Sequence, residues 1–275
     1  MYRLLDEYVD WDQELKYVDL ETGIRMAYIE AGNPEKKPLL FLHGHTDTSR
    51  SFKISGTVLE HDFHIFVLEL RGYGHTDKPD VFAYSTMEMA HDVIAFMKEM
   101  ELSEVYLSGF SMGSFVAQAV AFSIPDQIIK MVLISTGARM PESAEDVKTV
   151  VNDLTDVFSS EKDERFIASW IPTYRQFDDA MLRYYWENLK KLPIQSYVAG
   201  WLALSLTDHR NFLQFIKAPV KILWGKNDSL FTKDCQLEIR RLLPGAEFRE
   251  MNTTHEMLGE APIAVGQEIK EFFLQ

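Results

Sequence analysis

The segment Gly109-Phe110-Ser111-Met112-Gly113 constrains this chain more than any other stretch. It follows the strand-like Val105-Tyr106-Leu107, and a run of small residues after it predicts a helix over about 112–122. A serine between two glycines at such a junction reads as a sharp strand-to-helix turn that lifts one side chain clear of a sheet. The serine must then adopt a strained backbone conformation, and a Cβ two residues to either side would obstruct the neighbouring backbone. The helix points its N-terminus, with its free amides, at the serine. Taken alone, G-x-S-x-G is short, and a solvated serine in a glycine-containing turn would read the same way.

The remainder of the chain supplies the sheet. Residues 38–42, 64–68, 130–134, 220–224 and 246–251 are short runs suited to strands and too short for helices. Residues 14–30 alternate apolar and polar around Glu21-Thr22-Gly23, the pattern of an opening hairpin. Apolar side chains at 87, 90, 93, 94, 97 and 100 mark one helix face, and residues 261–273 read as a closing helix. Strands alternating with helices predict an α/β fold, a mostly parallel sheet flanked by helices on both faces. Residues 138–215 break this rhythm with helical patterns near 143–158, 161–169, 177–190 and 194–205. They read as a helical cap inserted into a core domain made of residues 1–137 and 216–275.

Ligands bind such sheets beyond the carboxyl ends of the strands. His45, Ser111, Asp228 and His255 all stand at expected strand ends. A serine is a weak nucleophile until an imidazole takes its proton, and a carboxylate must hold that imidazole in one tautomer. Taken singly, Asp228 could cap a helix beginning near Ser229, and His255 could be a loop histidine bonded to backbone. Glu256 is an alternative acid, although adjacent residues rarely point the same way. His43-Gly44-His45 lacks a carboxylate, cysteine or third histidine at ligand spacing, so no metal and no cofactor are expected. The amides of His45 and Met112 are the expected pair of oxyanion donors, with His43 anchoring its loop. His61, His64, His75, His91 and His209 read as surface or packing histidines.

With 28 basic and 42 acidic residues the net charge is −14, which disfavours phosphate backbones and anionic headgroups. A small-molecule substrate is therefore expected, rather than nucleic acid or a membrane. Cys235 is the single cysteine, which excludes an intrachain disulfide and a sulfur-rich metal site. No stretch approaches the ~18 apolar residues of a membrane helix, and the N-terminus lacks the apolar core of a signal peptide. A cytoplasmic protein is the expectation, and nothing in the residues sets an oligomeric state.

Several segments together carry a resemblance. They are Leu40-Phe41-Leu42-His43-Gly44-His45, Arg71-Gly72-Tyr73-Gly74 running on to Asp77 and Pro79, Gly109 to Gly113, Leu223-Trp224-Gly225 with Asp228, and His255 with Glu260-Ala261-Pro262. Over nearly its whole length the chain resembles the α/β-hydrolase superfamily. The resemblance implies an eight-stranded sheet, a cap between the sixth and seventh strands, no metal, and a catalytic set of Ser111, Asp228 and His255. Serine at 111 argues against the dehalogenases and epoxide hydrolases of this fold, which use aspartate. Met257 and Leu258 stand where ring-cleavage hydrolases carry tryptophan, Phe110 where aminopeptidases do, and Ser114 replaces a second glycine. Carboxylesterases, lactonases and perhydrolases remain closest.

The implied activity is that of a serine hydrolase cleaving a small or medium, largely apolar carboxylic ester, lactone or thioester through an acyl-enzyme. The alternatives are a C–C bond hydrolase and a ligand-binding receptor on the same fold. Phe110, Met140, Trp186, Trp201 and Leu230 are the expected substrate-binding residues, with Met112 near them. Arg175, Arg183 and Arg210 are candidates for holding a substrate carboxylate.

Overall fold

The computed structural model describes residues 15–79, 83–141 and 179–275. Eight strands, β1 (Lys16–Asp19), β2 (Arg25–Gly32), β3 (Pro38–Leu42), β4 (His64–Leu68), β5 (Val105–Phe110), β6 (Ile128–Ile134), β7 (Val220–Gly225) and β8 (Glu247–Met251), form one sheet. Their order is β1-β2-β4-β3-β5-β6-β7-β8. The opening hairpin and the β2–β4 pair are antiparallel, and every pair from β4 to β8 is parallel. The helices are α1 (Lys53–Thr57), α2 (Thr86–Glu99), α3 (Met112–Ser123), α4 (Asp179–Lys191), α5 (Ile194–Ser205), α6 (Lys233–Leu242), α7 (Met257–Glu260) and α8 (Pro262–Leu274).

The continuous apolar runs of the central strands have a simple cause: both faces of the sheet are covered. Successive side chains point to opposite faces, so each run splits between two cores. Leu40, Leu42, Leu68, Leu107 and Leu133 pack with Met89, Val93 and Phe96 of α2 and with α3. Leu39, Phe41, Val67, Val132 and Leu223 pack with Val265, Ile269, Phe272 and Phe273 of α8. Ser85 opens α2 with a reciprocal capping box to Glu88, and Pro262 opens α8, where its missing amide costs nothing. Because β3 to β8 run parallel, their carboxyl ends share one edge of the sheet.

A buried ion pair fixes the loop after β4. Arg71 donates from Nε and Nη2 to the two oxygens of Asp92 at 2.6 and 2.7 Å, and from Nη1 to the Ala83 carbonyl. Thr22 of the β1–β2 turn donates to the same carboxylate. Two unlike parts of the sequence are thus clamped onto α2.

Arg139 and Asp208 pair as an isolated antiparallel bridge, which sets residues near the two ends of 138–215 side by side. The His209 amide donates to the Ala138 carbonyl, and its ring bonds Gln118 of α3. Burial drives the His209 ring down to about 3, so it is neutral. Helices α4 and α5 occupy the last two of the four helical patterns expected between 138 and 215. The first two lie outside the described residues. Among the described residues no helix is long and apolar enough to cross a membrane.

One expectation is corrected: no helix begins near Ser229. Helix α6 starts at Lys233 behind Thr232. Asp228 Oδ1 instead accepts the Leu230 and Phe231 amides, both at 2.9 Å, closing a tight turn after β7.

Candidate active site

Ser111 stands between β5 and α3 with φ 50° and ψ −116°, a conformation that costs a non-glycine residue of order 1–3 kcal/mol. The surroundings enforce it. Its amide donates to the Ile134 carbonyl of β6, and its carbonyl accepts from both the amide and the hydroxyl of Ser114. The turn can be this tight only because Gly113 lies against the sheet: a Cβ there would sit 2.1 Å from the Leu42 carbonyl oxygen. Ser114, in place of a second glycine, fills its space with a hydroxyl that also lies 2.7 Å from Thr136 Oγ1.

Three strand ends converge here. Ser111 Oγ lies 3.0 Å from His255 Nε2, and His255 Nδ1 lies 3.0 Å from Asp228 Oδ2. Asp228 accepts at Oδ2, so His255 carries its proton on Nδ1 and leaves Nε2 free to accept from the serine hydroxyl. Burial pulls the imidazole's pKa down, but the charge and hydrogen bond of Asp228, and the charge of Glu256, outweigh it and the net shift is upward.

The histidine loop is also held by residues other than Ser111 and Asp228. Ser135, also at positive φ, donates its hydroxyl to the His255 carbonyl at 2.7 Å. Glu260 accepts from both the amide and the hydroxyl of Thr254. The segment after β6 thus supplies a positioning contact to the histidine loop.

His43 is fully buried, and its two ring nitrogens are both engaged. Nε2 accepts from the Leu70 amide at 3.0 Å, so Nδ1 carries the hydrogen and donates to the Gly44 carbonyl at 2.8 Å. Burial takes its pKa down to about 4, consistent with a neutral loop anchor. His45 follows at the cavity edge, its Nδ1 2.7 Å from the buried Tyr73 hydroxyl and its ring against Tyr197 and Trp201. Burial, with the neighbouring His43 adding to it, lowers its pKa to about 3.

Ser111 and His255 open onto a cavity of about 200 Å³. Four of the five expected substrate-binding residues, Phe110, Met140, Trp201 and Leu230, line it. Trp186 is on α4, and its side chain lies outside the described residues. Met112 is turned away and packs in the core, leaving its amide at the first position of α3. Arg210 lies at the surface against Asp208, away from the cavity, while Arg175 and the Arg183 side chain are outside the described residues.

Phe115, Leu204, Phe231 and Glu256 also line the cavity. Sequence reading missed the first three. Phe115 carried a usable signal, since a residue four after the serine returns to the same helix face. Glu256 was expected to point away from His255, yet both residues line this cavity.

The alpha/beta hydrolase fold family model matches residues 37–262. Among curated relatives, the AB hydrolase superfamily protein YisY of Bacillus subtilis is 26% identical over 93% of this chain and 98% of its own. Lipase 3 of a Moraxella species is 23% identical over 95% of this chain and 85% of its own. Among solved structures, the enol-lactonase of Burkholderia xenovorans superposes with a TM-score of 0.86 at 19% identity, covering 94% of this chain and 100% of that one. The chain belongs to the alpha/beta hydrolase fold family.

Proposed function

We propose that this protein is a serine hydrolase that cleaves a small or medium, largely apolar carboxylic ester, lactone or thioester through an acyl-enzyme. One observation carries the reading: the unbroken line from Ser111 Oγ through His255 to Asp228 at the mouth of a cavity with apolar walls. As Ser111 Oγ attacks the carbonyl carbon, His255 Nε2 takes its proton and the imidazolium is held by Asp228. The amides of His45 and Met112 receive the negative charge that develops on the carbonyl oxygen. His255 then gives the proton to the departing oxygen or sulfur. Water repeats the sequence to free the acid and restore the serine. Residues 138–215 act as a cap, with α5 supplying Trp201 and Leu204 to the cavity wall.

The test is turnover of p-nitrophenyl butyrate by the wild type and by Ser111→Ala. Many turnovers by the wild type, lost by several orders of magnitude in a variant that melts normally, support the reading. Equal rates would sink it, and a single turnover per chain would favour a receptor on the same fold. A panel of esters with graded acyl length then measures what the cavity accepts.

A further inference from the structure

Glu256 faces the cavity without a part in the chemistry proposed above. It is only 9% exposed, and it lines the cavity beside Ser111 and His255. Its backbone (φ −84°, ψ 46°) turns the chain from the histidine loop into α7, at the edge of the cavity. Among the described residues no group hydrogen-bonds its carboxyl. A carboxylate held largely out of water gains from a charged partner.

The surroundings say what partner would satisfy it. Among the described residues no lysine or arginine lines this cavity, whereas Phe110, Phe115, Trp201 and Phe231 do. Negative charge is in excess locally. Burial raises the Glu256 carboxyl above its ordinary range, with His255 opposing and Asp228 and Glu260 adding to it. Asp47, pushed up to about 7 chiefly by burial, also feels the charge of Glu256. A second carboxylate brought here would be repelled, and a neutral apolar group would leave the acid unpaired. A compact cation answers both features, since the carboxylate pairs with its charge and aromatic faces attract it through their quadrupoles.

We propose that Glu256 selects substrates whose leaving alcohol carries an ammonium group, seated between the Glu256 carboxylate and the aromatic wall. The leaving side follows from the chain itself. His255 hands its proton to the departing oxygen, so the alcohol lies on the His255 side, and Glu256 is the next residue. This inference rests on Ser111-dependent ester cleavage.

The experiment compares two butyrate esters of matched shape, 2-(trimethylammonio)ethyl butyrate and its uncharged analogue 3,3-dimethylbutyl butyrate. The ratio of their kcat/KM values is measured in the wild type, Glu256→Gln and Glu256→Asp, so that intrinsic reactivity and general damage cancel between proteins. The ratio should fall about tenfold in Glu256→Gln, as expected for removing one partly desolvated charge contact, and recover in part in Glu256→Asp. A ratio unchanged in Glu256→Gln overturns the proposal while leaving the hydrolase reading intact. Failure of the wild type to cleave either ester while it turns over p-nitrophenyl butyrate overturns the proposal alone, and failure on all three overturns both. Wild-type inhibition gives a reading that needs no variant. The free ammonium alcohol should inhibit cleavage of the neutral ester at least about tenfold more tightly than 3,3-dimethylbutanol. Equal inhibition constants would also overturn the proposal.

Discussion

Asp228 meets His255 with only one of its two carboxylate oxygens. Oδ2 faces the imidazole, while Oδ1 accepts the Leu230 and Phe231 amides that close the turn after β7. The helix-cap and triad readings of this residue competed in the sequence. In the folded chain one carboxylate both closes a local turn and holds the histidine. Asp228→Asn separates the two tasks. The amide oxygen still closes the turn, but the NH2 group faces Nδ1 and forces the opposite tautomer. Melting should change little, while kcat/KM on p-nitrophenyl butyrate should fall by about 10⁴.

The acid limb of the pH profile reports His255. The ring must be neutral to take the serine proton, and its pKa is raised by Asp228 and Glu256 against the opposing effect of burial. Activity should therefore fall as pH drops through a value above the ordinary 6.5 of histidine. In Glu256→Gln one of the raising charges is gone, and the limb should move to lower pH. A profile of kcat/KM from pH 5 to 9 for both proteins checks the direction.

Asp47 should make the wild type less stable as pH rises. Its Oδ1 accepts from the Thr48 amide and the Tyr184 hydroxyl, but burial lifts its pKa from 3.8 to about 7. Between those values the folded chain binds more protons at this site than the unfolded chain does. Its contribution is thus full below pH 3.8 and is lost as pH climbs to about 7. Asp47→Asn has no such dependence. The unfolding free energy of the variant relative to wild type, from urea titrations, should rise steadily across pH 4–7 and then level off, the span amounting to roughly a few kcal/mol.

The Arg71–Asp92 clamp is structural and lies away from the cavity. Asp92→Ala leaves a guanidinium buried without its carboxylate and frees the Thr22 hydroxyl. Unfolding in urea should show a loss of about 3–5 kcal/mol. If the variant still folds at low temperature, its KM for p-nitrophenyl butyrate should stay near the wild-type value.

The strands were legible because burial on both faces writes itself as continuous apolar runs, and the expected bounds at 38–42 and 64–68 are those of β3 and β4. The meeting of Ser111, Asp228 and His255 was legible for a related reason, since parallel strands bring their carboxyl ends to one edge. Contacts that depend on where a helix or loop turns its side chains were not legible. Glu256 lines the cavity at the turn into α7, and no residue type marks that position. Ser135 reaches the His255 carbonyl across two strand ends, a distance local pattern cannot see. The start of α6 was misplaced because an aspartate closing a turn and an aspartate capping a helix use the same oxygen on the same amides.

The close approach of Gly113 to the Leu42 carbonyl also bears on how this enzyme scaffold can change. The Ser111 turn and the strand that leads to His45 are one mechanical piece, with no slack for even a methyl group between them. Variation that widens or narrows the range of accepted ligands has room elsewhere, on α5, at Met140 and at the residues around Glu256. Laboratory evolution of new specificity would do best to randomise those positions and leave the elbow untouched.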